Sequence, residues 1–179
     1  SEALQAIELE MAPRLSAHWS AISMHPLLFA RLNEVYEKRG GLKLDAESLR
    51  VLERYHLDFV RAGAQLTGVN RDRLAAIGQR LAVLTAQFNQ NVLGDEEDWI
   101  LPLGEDQMAG IPPAVRDAAA SLAAERKLDA PFAVSLSRSR AEPFLEYADD
   151  RALREKLFHA WSGRGDNGNA HDNKTLIAD

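Results

Sequence analysis

Residues 70–93, NRDRLAAIGQRLAVLTAQFNQNVL, place Leu74, Ile77, Leu81, Leu84, Phe88 and Val92 at helical spacing, with polar residues between them. That period makes one apolar stripe along a helix, and Asn70 can cap its start. Working back from this stretch, the same pattern recurs. Leu49, Leu52, Tyr55, Phe59 and Leu66 form a stripe behind Asp45, an N-cap. Gly63 falls where two helices could approach closely, and Thr67-Gly68 ends the run. His25-Pro26 opens a helix with Leu28, Leu32, Val35 and Tyr36 inward, and Gly40-Gly41 ends it. Leu4, Ile7, Met11, Leu15, Trp19 and Ile22 give the first stripe, which Pro13 should kink or restart. The connections are short, so consecutive helices are expected to be antiparallel or nearly so.

Working forward, the character changes at Gly94. Asp95, Glu96, Glu97 and Asp98 are expected to form an acidic, solvated turn. Trp99–Pro102 reads as a short extended piece and Phe132–Ser137 as a half-buried strand. The two can pair as a ribbon around an Ala-rich helix at Ala114–Lys127. Pro143 should begin a helical turn, and Asp149 or Asp150 should cap a helix with Leu153, Leu157, Phe158 and Trp161 on its apolar side. After the loop GRGDNGN (163–169), Asp172 or Asn173 caps a helix starting at Lys174. A helix needs about 12 residues to stand alone, so the reading expects a polypeptide cut from a longer one. The fold class that follows is mainly α: an antiparallel, bundle-like helical lobe over 1–93, then a mixed segment over 94–179 with a small two-stranded β element.

Composition narrows the function. Hydrophobic residues make up 46% of the 179, enough for a core, and Lys+Arg 21 against Asp+Glu 27 leave a net charge of −6. Nucleic-acid binders carry clustered positive charge, so no nucleic-acid partner is expected. The absence of cysteine removes disulfides and thiolate chemistry. No apolar run reaches the roughly 20 residues of a membrane span, so no membrane partner is expected and the location is read as cytoplasmic.

Candidate chemistry is thin. His18, His25, His56, His159 and His171 include no His-Glu-x-x-His pattern, the arrangement that sets two zinc ligands and a base on one helical face. Asp166-Asn167-Gly168-Asn169 hints at a calcium loop but fails its spacing, with Ile177 where a bidentate Glu belongs. Arg164-Gly165-Asp166 matches the tripeptide of integrin ligands but is too short to carry a function alone. Ser135, Ser137 and Ser139 lack a nucleophile elbow. Glu142, Glu146 and Glu155 read as exposed helical carboxylates, and Trp19, Tyr36, Tyr55, Phe59 and Phe88 as packing. No catalytic, cofactor-binding or metal-ligating residue is assigned.

Four stretches in series carry a resemblance: HPLLFARLNEVYEKR (25–39), LDAESLRVLERYHLDFVRAGAQL (44–66), RLAAIGQRLAVLTAQFNQNVL (73–93) and EPFLEYADDRALREKLFHAWSGRGDNGNAHDNKTLI (142–177). Within the last, Arg151, Leu153, Arg154, Leu157 and Ala160 precede a loop and then Asp172, Asn173 and Ile177. The chain resembles the N-terminal region of the thimet oligopeptidase / neurolysin family of zinc metallopeptidases, with the bacterial peptidyl-dipeptidases nearest. The resemblance implies a larger neurolysin-like fold of two lobes around a channel, zinc in the complete enzyme, short peptides as substrates, and a catalytic lobe elsewhere on the same chain. It implies no zinc and no catalysis in this segment, whose helices would line the channel. The alternative reading is a stand-alone helical module for peptide binding or self-association.

Overall fold

The computed structural model describes residues 1–179 and confirms a mainly α chain of eight α-helices and one two-stranded antiparallel sheet. It divides into two compact units, Ser1–Ala86 and Gln87–Asp179.

The first unit holds α1 (Glu2–Ser23), α2 (Pro26–Glu37), a 3-10 turn at Arg39–Gly41, α3 (Ala46–Arg61) and the beginning of α4 (Gly68–Asp98). The local start signals behave as the sequence suggests. His25 Nδ1 accepts from the Leu28 amide at 3.3 Å with Pro26 in the first turn, and Asp45 Oδ1 accepts from Ser48 at 2.7 Å. Of the two possibilities at Pro13, the restart does not occur: helix α1 is continuous from Glu2 to Ser23. Two expectations fail. Helix α3 ends at Arg61, because Gly63 takes φ +94 and leaves Leu66 outside. Helix α4 starts at Gly68, ahead of Asn70.

The apolar stripes of this unit are largely open. No residue of α1, α2 or α3 is buried, and Leu4 and Trp19 are 67% and 66% exposed. The α2–α3 contact is aromatic instead: His56 stacks on Tyr36 with ring centroids 3.7 Å apart, donates from Nε2 to Asn33 Oδ1 at 2.8 Å, and sits beside Phe29.

The second unit continues α4 into β1 (Ile100–Leu103), a 3-10 turn at Glu105–Met108, α5 (Pro113–Glu125), β2 (Phe132–Ser135), α6 (Arg138–Tyr147), α7 (Arg151–Ser162) and α8 (Lys174–Ala178). The ribbon forms as expected, with Ile100 opposite Ser135 and Leu103 opposite Phe132. Strand β2 stops at Ser135 and is buried throughout rather than half-buried. Its alternation sends Phe132 and Val134 into the main core with Leu101, Leu103, Phe144 and Leu157, while Ala133 packs with Leu122 and Ala123 of α5. Both faces are covered, so the small residue marks the close approach of α5 and does not mark solvent. Helix α6 starts at Arg138 and carries Pro143 inside it, so Pro143 does not begin the turn. Asp150 caps α7, accepting from Ala152 at 2.8 Å and Leu153 at 3.1 Å. Leu157 is fully buried, whereas Phe158, expected on the same side, is half exposed.

Candidate functional site

The most organised polar feature lies in the second unit, where the last turns of α4 meet residues 163–173. Asn91, Asp95 and Asp98 recur at four and three residues, which puts them on one helical face. Asp95 is only 4% exposed. Its Oδ2 accepts from the Gly165 amide at 2.6 Å and from Asn167 Nδ2 at 3.0 Å, and its Oδ1 accepts from Asn169 Nδ2 at 2.7 Å. The expected acidic turn is thus helical to Asp98, and its first carboxylate is buried, not solvated. Carboxylates at a helix C-terminus face the negative end of the macrodipole, so local reasoning opposed this helix end; the loop's donors reverse the balance.

Burial pushes the Asp95 carboxyl up, but the hydrogen bonds from Gly165, Asn169 and Asn167 and the nearby His171 outweigh it, leaving the group below the usual carboxylate range. Around it, His171 Nε2 meets Asp98 Oδ2 at 3.0 Å, and Arg164 pairs with Glu96 while its Nε donates to the Trp161 carbonyl at 2.8 Å. Asn173, 1% exposed, accepts from Asn91 Nδ2 at 2.8 Å, donates from Nδ2 to the Phe88 carbonyl at 3.3 Å, and sends its amide to the Gly165 carbonyl at 2.8 Å. Asp172 Oδ1 accepts from the Lys174 amide at 2.9 Å, next to Asn173 at the N-cap of α8, which makes no side-chain cap bond of its own.

Two glycines make this close approach possible. Gly165 takes φ +74, and a Cβ there would lie 2.5 Å from Asn173 Nδ2. A Cβ on Gly94 would lie 2.3 Å from the His171 ring.

A cleft of about 260 Å³ opens beside the knot, lined by Asp95, Asp98, Trp99, Leu136, Asn167 and Asn169 among others. Its chemistry is that of a structural joint. The Asp95 oxygens are engaged by three donors, so this carboxylate is not free to act as a base. The other singled-out residues stay apart: His25 caps α2, His56 stacks between aromatic rings, His18 lies beside Trp19, and His159 meets Glu155 at 3.8 Å on exposed α7. Ser135 Oγ faces only Ser137 Oγ, at 3.3 Å, and Glu142 pairs with Arg138. No three His, Asp or Glu side chains converge to hold a metal ion, so the residues present do not fit a catalytic zinc. Sequence reasoning places Asp95 in a solvated turn and Asn173 as a helix cap and does not join the two; the available signal was the polar 91/95/98 spacing followed by a loop rich in Gly and Asn.

No family model matches the chain. Among curated proteins, the dipeptidyl carboxypeptidases of Salmonella typhimurium and Escherichia coli are each 33% identical over 178 residues, 99% of this chain and 26% of their own length. Oligopeptidase A of Escherichia coli is 26% identical over 170 residues, 92% of this chain and 25% of its own length. Over nearly its whole length the chain is homologous to these peptidases, which are members of the thimet oligopeptidase family. It spans about a quarter of the length of the curated relatives it matches. The range aligned with the dipeptidyl carboxypeptidases takes in the buried joint from Asp95 to Asn173 together with the helices of the first unit. No helix is long and apolar enough to cross a membrane.

Proposed function

We propose that the chain is a non-catalytic, N-terminal segment of a zinc-dependent oligopeptidase of the peptidyl-dipeptidase type, and that its helices form part of the wall of a substrate channel admitting short peptides. The similarity to dipeptidyl carboxypeptidase over 99% of the chain but 26% of the relative carries this reading. The scattered histidines and the fully engaged Asp95 support a structural role for these residues. Zinc, when bound, would supply metal-assisted hydrolysis of the peptide bond, held by residues other than those present here. What this chain contributes is steric: rigid helices exclude folded proteins and leave room for extended peptides. The cytoplasm is the proposed location.

The isolated chain is expected to bind no stoichiometric zinc and to hydrolyse no quenched fluorescent peptide. One zinc per chain with chelator-sensitive turnover overturns the assignment. The reading frame containing these residues is expected to encode His-Glu-x-x-His as well, and a frame without it removes the peptidase proposal. A second reading, a stand-alone module for peptide binding or self-association, is favoured by the open α1 stripe of Leu4, Ile7, Leu15 and Trp19. Light scattering and peptide titration separate the two: a monomer with no peptide affinity rejects the module.

A further inference from the structure

Asn167-Gly168 is the only Asn-Gly step in the sequence, and the fold puts it at the exposed tip of the loop that closes over Asp95. Gly168 takes φ +66 with nothing within 4 Å of where a Cβ would stand, so the loop is uncrowded on that side of the Asn167–Gly168 step. That nitrogen already donates to Asp172 Oδ2 at 2.7 Å. We propose that Asn167 is a site of spontaneous deamidation, and that its product unlocks the Asp95 joint.

The Gly168 nitrogen attacks the Asn167 side-chain carbon. The N–Cγ bond forms, the Cγ–Nδ2 bond breaks, the amide proton passes to an acceptor such as the Asp172 carboxylate, and the leaving nitrogen departs as ammonia after taking a proton. Water then opens the five-membered imide to aspartate or isoaspartate. The net reaction consumes one amide and one water and yields one acid and one ammonia, with no oxidant or cofactor. The consequence follows from geometry. Asn167 Nδ2 donates to Asp95 Oδ2 at 3.0 Å, and deamidation replaces that donor with a second carboxylate against a buried one. Two like charges at that distance cannot both ionise without cost, so the loop must lift and release the Gly165 amide from Asp95.

The sequence carries its own controls. Asn169 lies in the same exposed loop but precedes Ala170, whose Cβ crowds the attack, and Asn173 is buried before Lys174. Incubating the folded chain in mildly alkaline buffer and mapping peptides by mass spectrometry should show Asn167 converting about tenfold or more faster than Asn169, roughly 1.4 kcal/mol in barrier. Isoaspartate should appear at 167, and N167Q, which would need a larger ring, should stay unconverted. The deamidated fraction, separated by anion exchange, should lose hydrogen-exchange protection at the Gly165 amide about tenfold, and N167D should reproduce that loss. If N167D fails to fold, the wild-type fraction still decides. Conversion at Asn167 no faster than at Asn169 overturns the site; unchanged Gly165 protection in the converted fraction overturns its consequence.

Discussion

Helices α1 and α7 are built on the same apolar period, yet they end in opposite environments. In α7, Leu157 is completely buried among Leu101, Leu103, Phe132 and Phe144. In α1, Leu4, Ile7, Met11, Leu15, Trp19 and Ile22 are all exposed. Periodicity tells which side of a helix is apolar; it does not tell whether anything covers that side. The second unit supplies the cover itself, by wrapping α5, α6 and α7 around a two-stranded ribbon. The first unit holds its helices through an aromatic stack and short turns and leaves its long stripes open.

The comparison can be tested directly. The largest effect is expected from Leu157→Asp, which buries an unpaired carboxylate in the main core and should destabilise the second unit by about 5 kcal/mol or more. Denaturant unfolding followed by far-ultraviolet circular dichroism measures it; an unchanged midpoint would erase the contrast between the two helices.

Next comes Asp95→Ala, which orphans the Gly165 amide and two asparagine donors and should cost about 3 kcal/mol. The same joint should respond to acid. Because the folded carboxyl sits below its ordinary value of 3.8, its contribution is complete above that pH and is lost as pH falls through the depressed folded value. Hydrogen exchange at Gly165 against pH should show protection vanishing below pH 3.8 and not above it.

The smallest effect belongs to α1. Ile7→Asp, on the open stripe, should change stability by no more than about 0.5 kcal/mol in the isolated chain. A loss comparable to that of Leu157→Asp would mean the stripe is covered after all, for instance by a second copy, and light scattering on the same samples would reveal it.

What could be read from the sequence divides along the range of the forces involved. Asp45, Asp150 and His25-Pro26 act within one turn of chain, so residue type and spacing suffice to place the helix starts. The 100–103 and 132–135 ribbon was also legible, because each strand advertises itself locally and only one partner exists. Asp95 was misread because its own neighbourhood, four acidic residues at a helix C-terminus, argues for solvent; the donors that bury it come from Gly165, Asn167 and Asn169. Pro143 was misplaced for a similar reason: α6 begins at Arg138 behind Ser137, a start that follows from the end of β2 rather than from the proline. The exposure of Phe158, beside the buried Leu157, depends on which neighbours α6 and β2 leave within reach.

The joint at Asp95 also orders events in time. Asp95 and Gly165 are 70 residues apart in the chain, and contacts of such long separation close late because loop closure must precede them. Until residues 163–173 arrive, the final turn of α4 has four carboxylates and nothing to neutralise them. Helix α4 is therefore expected to grow from its Leu84 side and to be completed when the far end of the chain returns, an order that pulsed hydrogen exchange during refolding would check. Damage to the joint accordingly falls on the lifetime of the folded state and leaves the rate of reaching it nearly unchanged.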